Sequence, residues 1–219
     1  MTCSRLIRTD LPEVHIDFNR YRSLHREGMH LISGWFQRAW DKRDCQGDNC
    51  FEAFIFAWFA INGWAACVTE QDDDTKYIDA LTRDQTLCKE FSRLRARPDT
   101  PFASSATQFA AFWPIFEVRY FRQRGVRIYL PEYDRGKTIK YYMGHIAEGK
   151  TPFAPQCWKM HENAGEKPPV DWPHTLSALY RVRCNLFHGE KAAHSEMDQQ
   201  VVTSAFRTLV YFFREAQLL

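Results

Sequence analysis

The sequence predicts an all-α protein: an up-and-down bundle of about five main helices, with a long loop insertion before the helix that carries the candidate site. Three observations lead there. Apolar residues recur at intervals of three and four through most of the chain. Capping residues and prolines stand where those periodic stretches begin and end. No stretch of alternating apolar and polar residues competes in strength.

The elements follow in order. Asp17–Trp40 reads as the first helix, with Phe18, Tyr21, Leu24, Ile32, Trp35, Phe36 and Trp40 at helical spacing. A loop at Asp41–Asn49 contains Gly47. Asn49 and Glu52 have the spacing of a capping box and open a second helix, Phe51–Thr69. That helix is apolar nearly all round, so it should be buried on all sides. A third helix, Thr75–Ala96, carries the stripe Tyr77, Ile78, Leu81, Cys88, Phe91 and Leu94, and Pro98 and Pro101 end it. Ser105 and Gln108 are placed to cap a fourth segment, Thr107–Gln123, which Pro114 kinks or restarts. From Gly125 to Asp171 the periodicity fades among Pro131, Pro152, Pro155, Pro168 and Pro169, leaving one short helix near Lys137–Ala147. Pro173 suits the first turn of a helix running to about His188, with Gly189 as its left-handed cap. The last helix is Glu196–Gln217, with Val201, Val202, Ala205, Leu209, Phe212 and Phe213 on its apolar side.

A chain of 219 residues suits one domain, 1–219, interrupted by the insertion at about 125–171. Aromatic residues make up 15%, so the core should be rich in Trp and Phe. The net charge of +2 gives no global field for a polyanion, and any RNA site must be a local patch. The most apolar stretch, Ala53–Val68, is short for a membrane span and contains Asn62; it reads as a core helix, with no membrane partner. Met1–Asp10 carries Arg5 and Arg8 and lacks the apolar run of a signal peptide. The seven cysteines are odd in number and form no CxxC, which fits a reducing cytoplasm better than a disulfide framework.

The chemistry concentrates in Pro173–His188. On a helical wheel Leu176, Leu179, Tyr180, Leu186 and Phe187 form one stripe, and Arg183 falls inside it. A guanidinium there cannot lose its charge and is costly to bury alone. Either a carboxylate meets it, with Glu117 and Glu52 as candidates, or a ligand's phosphate does. His188 lies five residues on, about 140° around an ideal helix, so the two side chains share no face. The helix end at Gly189 lets the imidazole turn back, or a second subunit brings the pair together. A helix C-terminus favours imidazolium, which suits a group that takes and gives a proton.

Other signals rank lower. Cys157 and His161 have ligand-like spacing with His145 near in sequence, but zinc takes four ligands and no second pair is legible, so no metal and no cofactor is expected. Cys184 and His188 share a helix face, though a cysteine among bundle residues is more often packing than nucleophile. Tyr133, Tyr141 and Tyr142 interleave with Arg135, Lys137 and Lys140, which is either a stacking surface for RNA or a solvated loop packed by its tyrosines. There is no Gly-rich phosphate loop, no HExxH and no serine elbow.

The string Tyr-Arg-Val-Arg-Cys-Asn-Leu-Phe-His-Gly-Glu-Lys, Tyr180–Lys191, resembles the RxxxxH motif of HEPN domains, which lies near the end of a late helix followed by one more. The Trp58–Trp64 stretch, with Asn62 in an apolar helix, is similar to the early bundle helix of bacterial HEPN proteins. Cys184 departs from the polar residue that many members carry after the motif Arg. Glu190 stands where some toxin subfamilies have Tyr.

The resemblance implies an endoribonuclease that cleaves RNA without metal, the 2′-OH attacking the adjacent phosphate. Its catalytic residues would be Arg183, His188 and Asn185: Arg183 supplies fixed charge, His188 moves protons, and Asn185 orients the phosphate or His188. Arg181, Lys191 and His194 would meet the RNA backbone. It also implies a homodimer with a composite site, a toxin-like or anti-phage role, and an antitoxin or regulatory partner. Two other classes stay open: a binding module that holds RNA or a nucleotide without cutting, and a structural or interaction protein whose Arg183 belongs to an ion pair.

Overall fold

The computed structural model describes residues 16–128, 134–189 and 195–219. In chain order the elements are α1 (Asn19–Arg22), α2 (Arg26–Asp41), α3 (Asn49–Thr69), α4 (Asp74–Arg83), α5 (Gln85–Arg95), α6 (Pro101–Ala111), β1 (Ile115–Phe116), α7 (Val118–Arg122), α8 (Arg135–Gly144), β2 (Phe153–Ala154), α9 (Trp158–Asn163), α10 (Trp172–Phe187) and α11 (Glu196–Glu215). The fold is all-α, and the two short strands form one antiparallel pair with Ile115 opposite Ala154 and Phe116 opposite Phe153.

α3 is the central helix. Phe54, Trp58, Ile61, Trp64, Ala65 and Val68 are buried on it, but it is not buried on all sides as its composition suggested: Phe59 stays exposed, because its neighbours do not cover that face. By length and composition it could cross a membrane, with a mean hydropathy of 1.5 over its best window, but most of that window is covered by the rest of the fold. α2 covers one face with Ile32, Phe36 and Ala39. It approaches closely because Gly63 has no side chain: a Cβ there would lie 2.9 Å from Ile32 Cγ1. α11 covers another face, where Phe213 meets Trp64 edge-on at 5.1 Å. α10 adds Leu176, Leu179 and Val182 to the core, and the Trp172 indole N–H donates to the Leu81 carbonyl at 2.7 Å.

Four boundaries differ from the sequence reading, each for a local reason. The first helix breaks at Ser23–His25, where His25 takes an extended ψ of 141° and its Nδ1 accepts from the Glu27 N–H. The second starts at Asn49 without a side-chain cap, so the Asn49–Glu52 box does not form; Glu52 instead pairs with Lys42 at 2.7 Å. The third splits at Asp84, whose carboxylate accepts from the Leu87 N–H at 2.7 Å and restarts the chain as α5. Pro101 opens a helix rather than ending one. Thr100 caps it by accepting from the Ala103 N–H at 3.1 Å, and a proline in the first turn forfeits only an N–H that had no partner. Ser105 and Gln108 therefore lie inside α6, and the helix stops before the cis Trp113–Pro114 bond.

The insertion is more than a loop. It carries α8, β2 and α9, and Phe116, Phe121, Tyr142 and Phe153 form a second small apolar cluster. The Arg135 guanidinium donates to the backbone carbonyls of Phe112 and Pro114. Cys45 and Cys50 are joined in a disulfide across the loop before α3, where free thiols were expected.

Asn185 ties α10 to this insertion. Its side-chain amide N–H donates to the Phe116 carbonyl at 2.8 Å, and its Oδ1 accepts from the Val118 N–H at 3.3 Å. The residue is 2% exposed. It satisfies two backbone groups where β1 gives way to α7, both otherwise left unpaired. Replacing Asn185 by Leu should therefore cost about 1–3 kcal/mol, which at this chain length lowers the Tm by roughly 2–4 °C per kcal/mol. Thermal unfolding followed by circular dichroism measures it, and an unchanged Tm would remove the amide from the account of the fold.

Candidate functional site

α10 presents its core residues on one side and leaves Tyr180, Arg183, Cys184 and Phe187 on a flank. Arg183 thus sits at the margin of the apolar stripe, facing α4. Its Nη1 lies 3.2 Å from Asp74 Oδ2. Neither Glu117 nor Glu52 meets it: Glu117 pairs with Arg181 at 2.8 Å, and Glu52 with Lys42. The Arg183 guanidinium carbon is 4.9 Å from the centre of the Phe187 ring and 5.8 Å from that of Tyr180, one turn to either side. Its Nε is buried without a hydrogen-bond partner among the described residues.

Asp74 is shared. Besides pairing with Arg183, its charge acts on the Tyr180 phenol. Burial, with the Cys184 thiol and the Asp74 charge behind it, pushes the Tyr180 phenol well above its usual range. Burial also lifts Tyr77 to about 12, and Tyr77 donates to Asn62 Oδ1 at 2.7 Å. Asn62, the polar break in α3, is satisfied in this way. Both phenols stay protonated at neutral pH. Asn62, Tyr77, Asp74 and Arg183, with Asp72, Asp73 and Thr75, line an open cleft of about 620 Å³. Asp73 is turned to the backbone, accepting from the N–H groups of Thr75 and Lys76 at the start of α4.

His188 is the C-cap residue of α10, with φ −90° and ψ 9°. Gly189 follows with φ +67°, a conformation that a residue without Cβ adopts freely, and this ends the helix as the sequence suggested. The imidazole is exposed and has no hydrogen-bond partner among the described residues. In one chain, then, Arg183 faces the Asp74 cleft while His188 stands at the helix end in solvent. Asn185 points to neither, because both ends of its amide are committed to the insertion backbone. That corrects the expectation that it orients His188 or a phosphate. Lys191 and His194 lie outside the described residues.

Beside Phe187 runs an apolar surface that the sequence reading did not mark. Leu31 is 63% exposed, Phe187 42% and Phe59 40%. Trp35 packs on Phe56 and Phe59, each at 5.4 Å, and Phe59 meets Phe187 edge-on at 6.1 Å. A usable signal was present in the sequence: α3 has more large apolar residues than its neighbours can cover.

The aromatic and basic segment of the insertion is mostly internal. Tyr142 is buried with its hydroxyl on the Ile128 carbonyl, Arg135 is tied to backbone, and the Tyr141 ring lies tilted against His145 with centroids 4.6 Å apart. Of that set, Lys137 and Lys140 are exposed, and Tyr133 lies outside the described residues. The arrangement is that of a loop packed by its own tyrosines rather than a stacking platform. No family model matches the chain, and no curated protein or solved structure matches it either.

Proposed function

We propose that this chain is a metal-independent endoribonuclease of the HEPN type that acts as a two-fold homodimer. The observation that carries the reading is the placement of Arg183 and His188 at one end of α10, beside an apolar surface of exposed Leu31, Phe59 and Phe187 around half-buried Trp35. Two copies meeting on that surface would cover it. They would also bring the two α10 ends together, so that each His188 faces the partner's motif.

The chemistry asked of the pair is modest. The ribose 2′-OH attacks the adjacent phosphorus, and the bond to the 5′-oxygen breaks. His188 takes the hydroxyl proton or returns one to the leaving oxygen, and Arg183 stabilises the charge that grows on the phosphorane. Asp74, Tyr180 and Phe187 fix the guanidinium, which lowers the entropy lost when phosphate binds. Asp72, Asp73 and Asp74 make the cleft itself acidic, so RNA approaches from the exposed His188 end; the resemblance makes Arg181, Lys191 and His194 the candidate contacts. The biological role that follows, resting on the resemblance of Tyr180–Lys191 alone, is toxin-like or anti-phage action in the cytoplasm under an antitoxin or regulatory partner.

A second reading has its own observation. The Arg183–Asp74 pair, with its ring neighbours, is what an ion-paired structural arginine looks like, and Cys184 departs from the motif. A binding module without cleavage, or an interaction protein, would keep the same contacts.

The readings separate in a cleavage assay on a mixed RNA pool in EDTA. Wild type should leave 2′,3′-cyclic phosphate and 5′-hydroxyl ends, and a 2′-deoxy nucleotide at the scissile position should block the cut. His188→Ala should abolish cleavage with no change in Tm, because the side chain is exposed. If folded, dimeric wild type does not cut, the ribonuclease reading fails; Arg183→Ala would then cost stability, about 1–3 kcal/mol for a pair this exposed, with no RNA phenotype. The dimer is tested separately. Leu31→Glu combined with Phe59→Glu should shift sedimentation from dimer to monomer and remove cleavage with it, whereas a wild type that sediments as a monomer would refute the composite site.

A further inference from the structure

Cys157, His161 and His174 bring one sulfur and two imidazole nitrogens within 4.8 Å of one another. The residues come from two elements. Cys157 is the N-cap of α9, His161 stands one turn later on the same face, and His174 is in the first turn of α10. His174 Nε2 is 3.1 Å from Cys157 Sγ.

We propose that these three side chains hold one zinc ion, with water in the fourth position. Zinc binds thiolate at about 2.3 Å and imidazole at about 2.0–2.1 Å, so ligand atoms around it stand roughly 3.5 Å apart. One pair stands at 3.1 Å and no pair exceeds 4.8 Å, so small side-chain shifts bring all three to that spacing. A mixed thiolate and imidazole set is the donor chemistry zinc takes most readily among hard and soft cations.

The outer contacts point the same way. A histidine ligand needs its second ring nitrogen held, usually by a carboxylate. His174 Nδ1 is on the Asp171 carboxylate, and His161 Nδ1 is 3.7 Å from Glu166 Oε2. Each carboxylate thus leaves Nε2 as the nitrogen turned to the cluster. His161 Nε2 is buried and has no hydrogen-bond partner among the described residues, a costly state that a metal would relieve.

The Asp171–His174–Cys157 row also resembles an activated thiol. Access argues against that use: Cys157 is 2% exposed and His174 8%, so no substrate reaches the sulfur. A buried cluster that joins two elements suits a structural ion. It would staple α9 of the insertion to the N-terminal end of α10. Arg183 lies nine residues further along that helix, about 14 Å away at 1.5 Å per residue. The site is therefore separate from the proposed cleavage chemistry, and either can fail alone.

Binding costs one proton, because the Cys157 thiol must become thiolate. The test uses the full chain, stripped with chelator, dialysed and titrated with Co²⁺. The expected result is a thiolate-to-cobalt charge-transfer band with the visible bands of a four-coordinate ion. It should saturate at one equivalent and be bleached by one equivalent of Zn²⁺. His161→Ala is the cleanest variant, since its Nε2 makes no hydrogen bond to lose, and it should remove the visible bands while the circular dichroism stays that of wild type. Cys157→Ser should remove the charge-transfer band. Folded wild type with no cobalt spectrum overturns the proposal, as do bands that survive in both variants.

Discussion

A helix of 21 residues with apolar side chains on every face calls for cover from every side, and the architecture around α3 answers most of that demand. A helix packed on one face would be satisfied by a single neighbour. α3 instead takes α2, α4 and α11 against it, and the close approach of α2 depends on Gly63. What those neighbours leave uncovered appears as the surface of Phe59, Trp35 and Phe187. The same constraint that organises the interior therefore produces the exposed patch beside the motif.

Two polar groups that enter this apolar setting, Arg183 and Asn62, are compensated locally. Arg183 at the edge of α10 has Asp74 on one side and ring faces on two others. Asn62, the polar residue inside α3, receives the Tyr77 hydroxyl. The two compensations share α4, so one short helix serves both the central helix and the motif helix. This is also why the site is part of the fold. The groups that would steady a reacting guanidinium are those that make its burial tolerable.

Apart from the short helix near Lys137–Ala147, found as α8, the insertion showed little order in sequence because its apolar residues follow no single period. Its order comes from pairing across distance: β1 with β2, Tyr142 under Phe116 and Phe121, and Asn185 reaching back to the backbone at Phe116 and Val118. Asn185 illustrates the limit of reading by motif. Its place within the RxxxxH string suggested a catalytic group, yet its amide is spent on two backbone partners 69 and 67 residues away in the chain.

The sequence by itself determined the helical class, the apolar central helix, the motif helix with its Gly189 terminus, and the final amphipathic helix. Each of these rests on short-range periodicity and capping, which act within a few residues. It also marked Arg183 as a charge in need of a partner. Only the tertiary structure decided that the partner is Asp74 rather than Glu117 or Glu52, that His174 and not His145 joins Cys157 and His161, and that Cys45 meets Cys50. It likewise decided where Asp84 breaks a helix that looked continuous. Partner choice of this kind depends on which side chains packing brings within a few ångströms, and a one-dimensional pattern of apolar and polar residues carries no such distances.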